Sequence, residues 1–244
     1  MQQLSPSALL DTWERGVTLP PIQRALLLLA TGFPEESTAT LALRSIGERN
    51  ALLLILREWL FGPQFVGTVR CSQCGERMEF NFVTADIWAT PHEKPGESLT
   101  LEMAGYTMHF RLPNSTDLAA LSGDEDLALA EQMILERCLL SVSYADERLG
   151  TASLPQEVVT AVIEAMDRAD PQANIQLSLA CPVCNHQWSA LLDLSTYIWR
   201  ELDAWARRAL YEVHTMASAY GWHEHDILDM RPWRRQFYME MIGR

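Results

Sequence analysis

Two C-x-x-C pairs, Cys71-Ser72-Gln73-Cys74 and Cys181-Pro182-Val183-Cys184, constrain this chain more than any other feature, because 106 residues separate them. A tight turn between two cysteines points both thiolates at one ion, and four such sulfurs suit a tetrahedral zinc. Gly75 and Asn185 follow the pairs, and both residue types tolerate the left-handed backbone that ends such a turn. Each pair also has strand-like sequence before and after it, as in a zinc ribbon. The long gap then requires that a folded subdomain be inserted between two knuckles that meet in space. The expected ligands are Cys71, Cys74, Cys181 and Cys184, around a structural Zn2+.

Such a site is coordinatively closed, so it has no position left to activate water. Thioredoxin-like redox chemistry is the competing reading. It would want C-x-x-C at a helix start in a βαβ unit, where the thiolate is stabilised. The fifth cysteine, Cys138, lies in an apolar helical stretch and reads as a small buried hydrophobe. His186 follows Cys184 by two positions; with four cysteines present it is expected beside the site rather than in it. The N-terminal Met1-Gln2-Gln3-Leu4-Ser5-Pro6 has no basic stretch followed by an apolar core, so a cytoplasmic, reducing compartment is expected. Paired thiols there are more often metal ligands than disulfides.

Hydrophobic periodicity predicts a helical start. Leu9, Leu10 and Trp13 repeat at helical spacing, and Pro20-Pro21 opens a second helix. A third is expected from Thr38 to Leu60, burying Leu41, Leu52, Ile55, Leu56 and Trp59 and stopping at Phe61-Gly62-Pro63. Phe65–Arg70 and Met78–Phe82 read as strands flanking the first cysteine pair. Residues 90–96 read as a loop, and Leu99–Met103 with Tyr106–Leu112 as a hairpin turning at Ala104-Gly105. Helices are expected from about Asp117, from Leu127 to Leu140 and from Pro155 to Arg168. Ile175–Leu179 and Gln187–Leu191 are the strands of the second pair. A long amphipathic helix from Ser195 to Tyr220 follows, with Ile198, Leu202, Trp205, Ala209, Val213, Met216 and Tyr220 on one face. Two short helices close the chain. His223 is expected at the N-cap of the first, with Asp226 closing a capping box and Trp222 and Ile227 forming a hydrophobic staple.

With 48% apolar residues the chain can bury a core. Its strongest apolar runs, Ala25–Ala30 and Ala51–Leu56, fall far short of the roughly 20 residues that span a bilayer. A formal charge of −13 opposes binding to phosphate backbones unless a local basic patch exists. The stretch from Arg231 to Arg244 is the one such candidate. Its Arg234 and Arg235 are expected to pair with carboxylates, within the protein or on a partner; a nucleic-acid adaptor acting through these Arg-rich helices is the alternative. No phosphate-binding glycine loop, dinucleotide fingerprint or nucleophile elbow occurs, and His223-Glu224-His225 lacks the spacing of a metalloprotease helix.

Several motifs, in order along the chain, carry a resemblance to a known family. They are Ile46-Gly47-Glu48-Arg49-Asn50 with Leu60-Phe61-Gly62-Pro63, Cys71-x-x-Cys74-Gly75-Glu76, and Phe110-Arg111-Leu112-Pro113 with Asp117-Leu118. Ala169-Asp170-Pro171-Gln172-Ala173, Cys181-Pro182-x-Cys184 and Glu201-Leu202-Asp203-x-Trp205-Ala206 follow. The last are Tyr220-Gly221-Trp222, Asp226-Ile227-Leu228 and the arginine pair before Tyr238. On these the chain resembles the baseplate hub assembly chaperones of T-even phage type, a family of contractile phage tails and phage-tail-like injection systems. His223 departs from the capping residue expected there. The resemblance implies a non-enzymatic protein that binds baseplate or hub components, with Trp222, Arg234, Arg235 and Tyr238 as candidate partner-binding residues.

The expected fold is α+β. Residues 1–63 form a helical N-terminal region, 64–89 and 175–194 a split zinc ribbon, 90–174 an inserted hairpin-plus-helix subdomain and 195–244 a helical C-terminal region.

Overall fold

The computed structural model describes residues 4–89, 96, 98–121, 126–145, 147–149 and 154–243. Most of the expected loop at 90–96, and Asp124-Glu125, lie outside them. In chain order come α1 (Pro6–Gly16), α2 (Pro21–Gly32), α3 (Thr38–Leu43), α4 (Ile46–Phe61), β1 (Gln64–Arg70) and β2 (Arg77–Val83). Next are β3 (Leu99–Met103), β4 (Tyr106–Phe110), α5 (Ser115–Leu118), α6 (Leu127–Cys138), β5 (Leu139–Tyr144) and β6 (Glu147–Leu149). The chain ends with α7 (Gln156–Ala169), β7 (Gln176–Ala180), β8 (Gln187–Leu191), α8 (Leu194–Tyr220), α9 (Glu224–Leu228) and α10 (Pro232–Ile242). The mixture of helices and antiparallel strands makes the fold α+β.

Two compact units result, Met1–Thr38 with Ser195–Arg244, and Ala39–Leu194. The first is helical. Its core joins Leu10 to Ala206, Ala209, Val213 and Met216 of α8 and to Ile227 and Leu228 of α9. The expected face of α8 is the inner one, with Trp205 half-buried and, at its end, Tyr220 38% exposed and stacked on Trp222. Polar anchors lock the seam: the Trp13 indole donates to Asp203 Oδ1 at 2.9 Å.

The described residues of the second unit form three antiparallel sheets: the hairpin β1-β2, the four-stranded β3-β4-β5-β6 and the hairpin β7-β8. The β3-β4 turn is Ala104-Gly105, both at positive φ (52° and 83°), the conformation that a two-residue hairpin needs to match strand twist. One core serves this sheet and two helices. Met108, Phe110, Leu139 and Val142 meet Leu135 and Cys138 of α6 and Val158, Val162 and Met166 of α7.

Two expectations need correction. The helix expected over Thr38–Leu60 is two helices, because Ser45 and Glu48 build a capping box that starts α4 afresh. Its buried face is also rotated: Leu53, Leu54, Leu56, Arg49, Asn50 and Arg57 are inside, whereas Ile55 and Trp59 are 40% and 39% exposed. The run Ala51–Leu56 is apolar all round, so periodicity could not choose a face. Leu139 and Leu140, expected to end a helix, instead begin β5, which pairs with β4 through Met108↔Val142. Pairing with an open sheet edge overrode local helical preference.

Candidate metal centre

Both cysteine pairs sit at hairpin tips of matching construction. β1-β2 closes with Arg70 opposite Arg77, and β7-β8 with Ala180 opposite Gln187. Beyond these pairs the Cys71 N–H donates to the Glu76 carbonyl at 2.8 Å, and the Cys181 N–H to that of His186 at 2.8 Å. The Gly75 and Asn185 N–H groups return to the Cys71 and Cys181 carbonyls at 3.0 and 2.9 Å. Gly75 and Asn185 have φ of 75° and 57°, so the residue after each pair is left-handed as anticipated.

The two tips converge. The four sulfur atoms lie within 4.8 Å of one another, an arrangement that can hold a metal ion. Cys71 Sγ is 3.7 Å from Cys184 Sγ, and Cys74 Sγ is 3.6 Å from Cys181 Sγ. Tetrahedral zinc with Zn–S bonds of ~2.3 Å sets sulfurs about 3.8 Å apart, whereas a disulfide requires about 2.05 Å. The donor set and its spacing therefore fit a tetrahedral thiophilic ion. Cys71 and Cys181 are buried, Cys184 is half-buried and Cys74 is exposed.

The sulfur atoms influence one another's ionisation. The Cys74 N–H, with that of Gln73, draws the Cys71 thiol down to about 7. The Glu76 N–H favours the Cys74 thiolate, yet burial and the thiols of Cys184, Cys181 and Cys71 push it up to about 12. Cys184 is also raised: its His186 N–H favours the thiolate, but burial and the thiols of Cys181 and Cys71 outweigh it. Neighbouring thiols thus oppose the ionisation of Cys74 and Cys184, and a divalent ion held there would favour the deprotonated form of its ligands. His186 stands outside the sulfur cluster, its Nε2 3.1 Å from Ser72 Oγ on the other tip and its ring stacked on Trp188. Cys138 is fully buried in the sheet core, and burial raises its thiol to about 11.

The candidate partner residues separate into two environments. Trp222 stacks on Tyr220 (4.6 Å between centroids) and meets Tyr238 edge-on at 4.9 Å, while the exposed Arg234 guanidinium lies 5.8 Å from the Tyr238 ring. Arg235 is 5% exposed. Its Nε donates to Glu212 at 2.9 Å and its Nη1 to the Leu228 and Met230 carbonyls at 3.2 and 2.8 Å, so its carboxylate partner is internal. His223 occupies the N-cap of α9 as expected, but no side-chain cap bond forms, which corrects the capping box proposed with Asp226.

Sequence reasoning missed a buried polar cluster. Several motifs quoted only as likeness meet there. The Gly47 N–H donates to Asp170 Oδ2 at 2.8 Å, Asn50 Nδ2 to the Gln172 carbonyl at 3.0 Å, and the Ile46 N–H to the Pro113 carbonyl at 3.0 Å. Burial holds the Asp170 carboxyl above its ordinary value despite the Gly47 and Ser45 donors, and burial lowers Arg49 against the pull of Asp193 and Asp170. Nearby, the side chain of Asp117 is wholly buried. It accepts from Arg111 Nη1 and Nη2 (2.6 and 2.8 Å), Arg137 Nε (2.9 Å) and the Asn114 N–H (3.0 Å). The spacings Ser45-x-x-Glu48 and Asn114-x-x-Asp117 were the signals available, since both are capping boxes.

Among known families, the model described as "T4 bacteriophage base plate protein" matches residues 27–199. No curated protein matches the chain. No solved structure matches it either.

Proposed function

Because the chain belongs to the T4 bacteriophage base plate protein family, we propose that it is a non-catalytic assembly chaperone or accessory protein of a contractile-tail or injection-system baseplate, binding a hub or baseplate component. The family match over residues 27–199 carries this reading. We further assign Cys71, Cys74, Cys181 and Cys184 as ligands of one structural Zn2+, supported by the convergence of their sulfurs. Such an ion supplies a cross-link rather than chemistry, since four sulfur ligands complete the tetrahedron. On this reading 64–89 and 175–194 form a split zinc ribbon, 90–174 is inserted into it, and 1–63 and 195–244 are helical flanks.

Two surfaces support a protein partner. The exposed Arg234 and the aromatic cluster of Trp222 and Tyr238 form one. The other is an aliphatic groove of about 570 Å³ lined by Leu118, Leu121, Leu127, Ile134 and Met166, with Glu131 among its polar residues. A nucleic-acid adaptor draws less support, because Arg235 is engaged internally on a chain of net charge −13. No helix among the described residues is long and apolar enough to cross a membrane. The site of action on this reading is the cytoplasm of a bacterial or phage-infected cell.

The test is affinity purification of the tagged chain from cells expressing the complete tail gene cluster, with metal analysis of the eluate. Co-purification of a hub or baseplate protein together with one zinc per chain is expected. Recovery of the chain without any baseplate component would overturn the assembly role, and a metal-free native protein would overturn the zinc assignment.

A further inference from the structure

Helix α6 is thinly covered. Of its 12 residues only Leu135 and Cys138 are buried, and Leu127 at its start is 84% exposed. The aliphatic groove beside it lies within the Ala39–Leu194 unit, and α6 and α7 build its two walls on one pattern. Leu127, Ala130, Glu131 and Ile134 come from α6; Ile163, Met166, Asp167 and Asp170 come from α7 and its C-cap. Both sets fall at i, i+3, i+4 and i+7. Each is therefore one helix face running about 10.5 Å at 1.5 Å per residue.

Every charged residue lining the groove is acidic. Asp170 is buried and accepts from the Gly47 N–H at 2.8 Å, but Glu131 and Asp167 are exposed, so their charge meets whatever enters. Asp124-Glu125-Asp126, directly before α6 in the sequence, adds three more acids and no base.

We propose that the groove takes an amphipathic basic helix of a partner protein. Its aliphatic side chains, at the same helical spacing, seat between α6 and α7, and its Lys or Arg residues lie against Glu131 and Asp167. Three features select that occupant. Both walls are helices, whose backbone groups bond internally, so an added strand finds no edge there, whereas a third helix packs its ridges between two such faces. The carboxylates attract cations and repel the phosphates of a lipid surface or nucleic acid. The segments of this chain outside the described residues fail as occupants, because none is both apolar and basic; the nearest, 122–125, holds two acids. Apolar contact supplies the affinity and the acidic rim the choice of partner. That the partner is a baseplate component rests on the function proposed above; the chemistry of the groove does not.

The probe is a labelled leucine–lysine peptide of about 14 residues with its leucines on one helical face, titrated with the purified full chain by fluorescence anisotropy. Saturable binding at one site per chain is expected. A peptide of the same composition with leucines spread around the helix should bind about tenfold more weakly, and one with glutamate for lysine should not bind. Glu131→Lys combined with Asp167→Lys should weaken binding about tenfold, and Leu127→Ser, at a position too exposed to threaten folding, about fivefold. The same charge change at α1, Asp11→Lys with Glu14→Lys, should alter it less than about twofold. The proposal falls if both leucine–lysine peptides bind equally, if the α1 variant weakens binding as much as the groove variant, or if the peptide dissolves a self-association of the chain, which would give the groove to a second copy. In cells expressing the tail gene cluster, the groove charge variant should recover less baseplate component than the parent. Undiminished recovery would take the partner out of the groove and leave the assembly role standing; groove-dependent peptide binding with no baseplate protein recovered by the parent would do the reverse.

Discussion

Removing the metal from the four-cysteine site is expected to unfasten the two hairpins that carry it while leaving the main sheet intact. In β7-β8 every residue is exposed or half-buried, and in β1-β2 only Phe65 is buried. A two-stranded hairpin with so little apolar cover is marginal on its own. A metal held there would tie together tips whose cysteines, Cys74 and Cys181, are separated by 106 residues. With the sheet between them still folded only a short stretch opens, so the tie restricts the open hairpins by about 3 kcal/mol in chain-entropy terms. Loss of about 3 kcal/mol of local protection corresponds to an amide exchange faster by on the order of a hundredfold in the hairpins. Amides of Tyr106–Phe110 and Leu139–Tyr144 belong to a core that shares no residue with the site. Those should change by less than about tenfold. Hydrogen-exchange mass spectrometry with and without a strong chelator measures both groups, and Cys74→Ser should reproduce the chelated pattern. Equal protection in the two states, or uniform loss across the sheet core, would refute the reasoning.

Asp117→Asn should destabilise by about 2–4 kcal/mol in urea titration, since it withdraws one charge and one acceptor oxygen from two guanidinium groups at a wholly buried position. Burial opposes the charged form of Asp117, but Arg111, the Asn114 N–H and Arg137 together hold its carboxyl below the ordinary 3.8. A lowered folded value means the stabilisation is complete above about pH 5 and is lost as pH falls below about 4. The gap between parent and variant should close over that range; a gap constant down to pH 3 would contradict the assignment. Gly47→Ala should lower the melting temperature by about 5–12 °C, because a Cβ there would stand 1.8 Å from Asp170 Oδ1 and 3.0 Å from the Ala173 nitrogen. A melt within 2 °C of the parent would show that the α4 contact with the Asp170 turn yields freely.

Features controlled by a few neighbouring residues were legible in the sequence. The left-handed residues Gly75 and Asn185, the Ala104-Gly105 turn and the buried face of α8 all appear where spacing and residue type placed them. Less legible were features whose partners lie far along the chain. Ile55 and Trp59 were expected inside α4, yet the helix buries Arg49 and Asn50, whose partners Ser115 and Gln172 are 66 and 122 residues away. Such burial is invisible to apolar periodicity, because it is a polar side chain meeting a distant polar group. Cys138 was correctly read as a buried thiol, but the strand that begins at the next residue was not anticipated.

The chain's own order of residues determined which sulfurs form pairs, since each C-x-x-C turn closes on hydrogen bonds spanning no more than five residues. It also determined where α1, α4, α5 and α6 begin, at the side-chain caps of Ser5, Ser45, Asn114 and Asp126, and where the hairpins turn, at positive-φ positions with the same short reach. Tertiary structure decided that the two pairs converge, that Leu139–Tyr144 joins β4 rather than prolonging α6, and that Arg235 turns inward to Glu212. Those choices depend on which distant surfaces become available for burial. Local preferences differ by only tenths of a kcal/mol per residue, so a sheet edge or a buried carboxylate outweighs them.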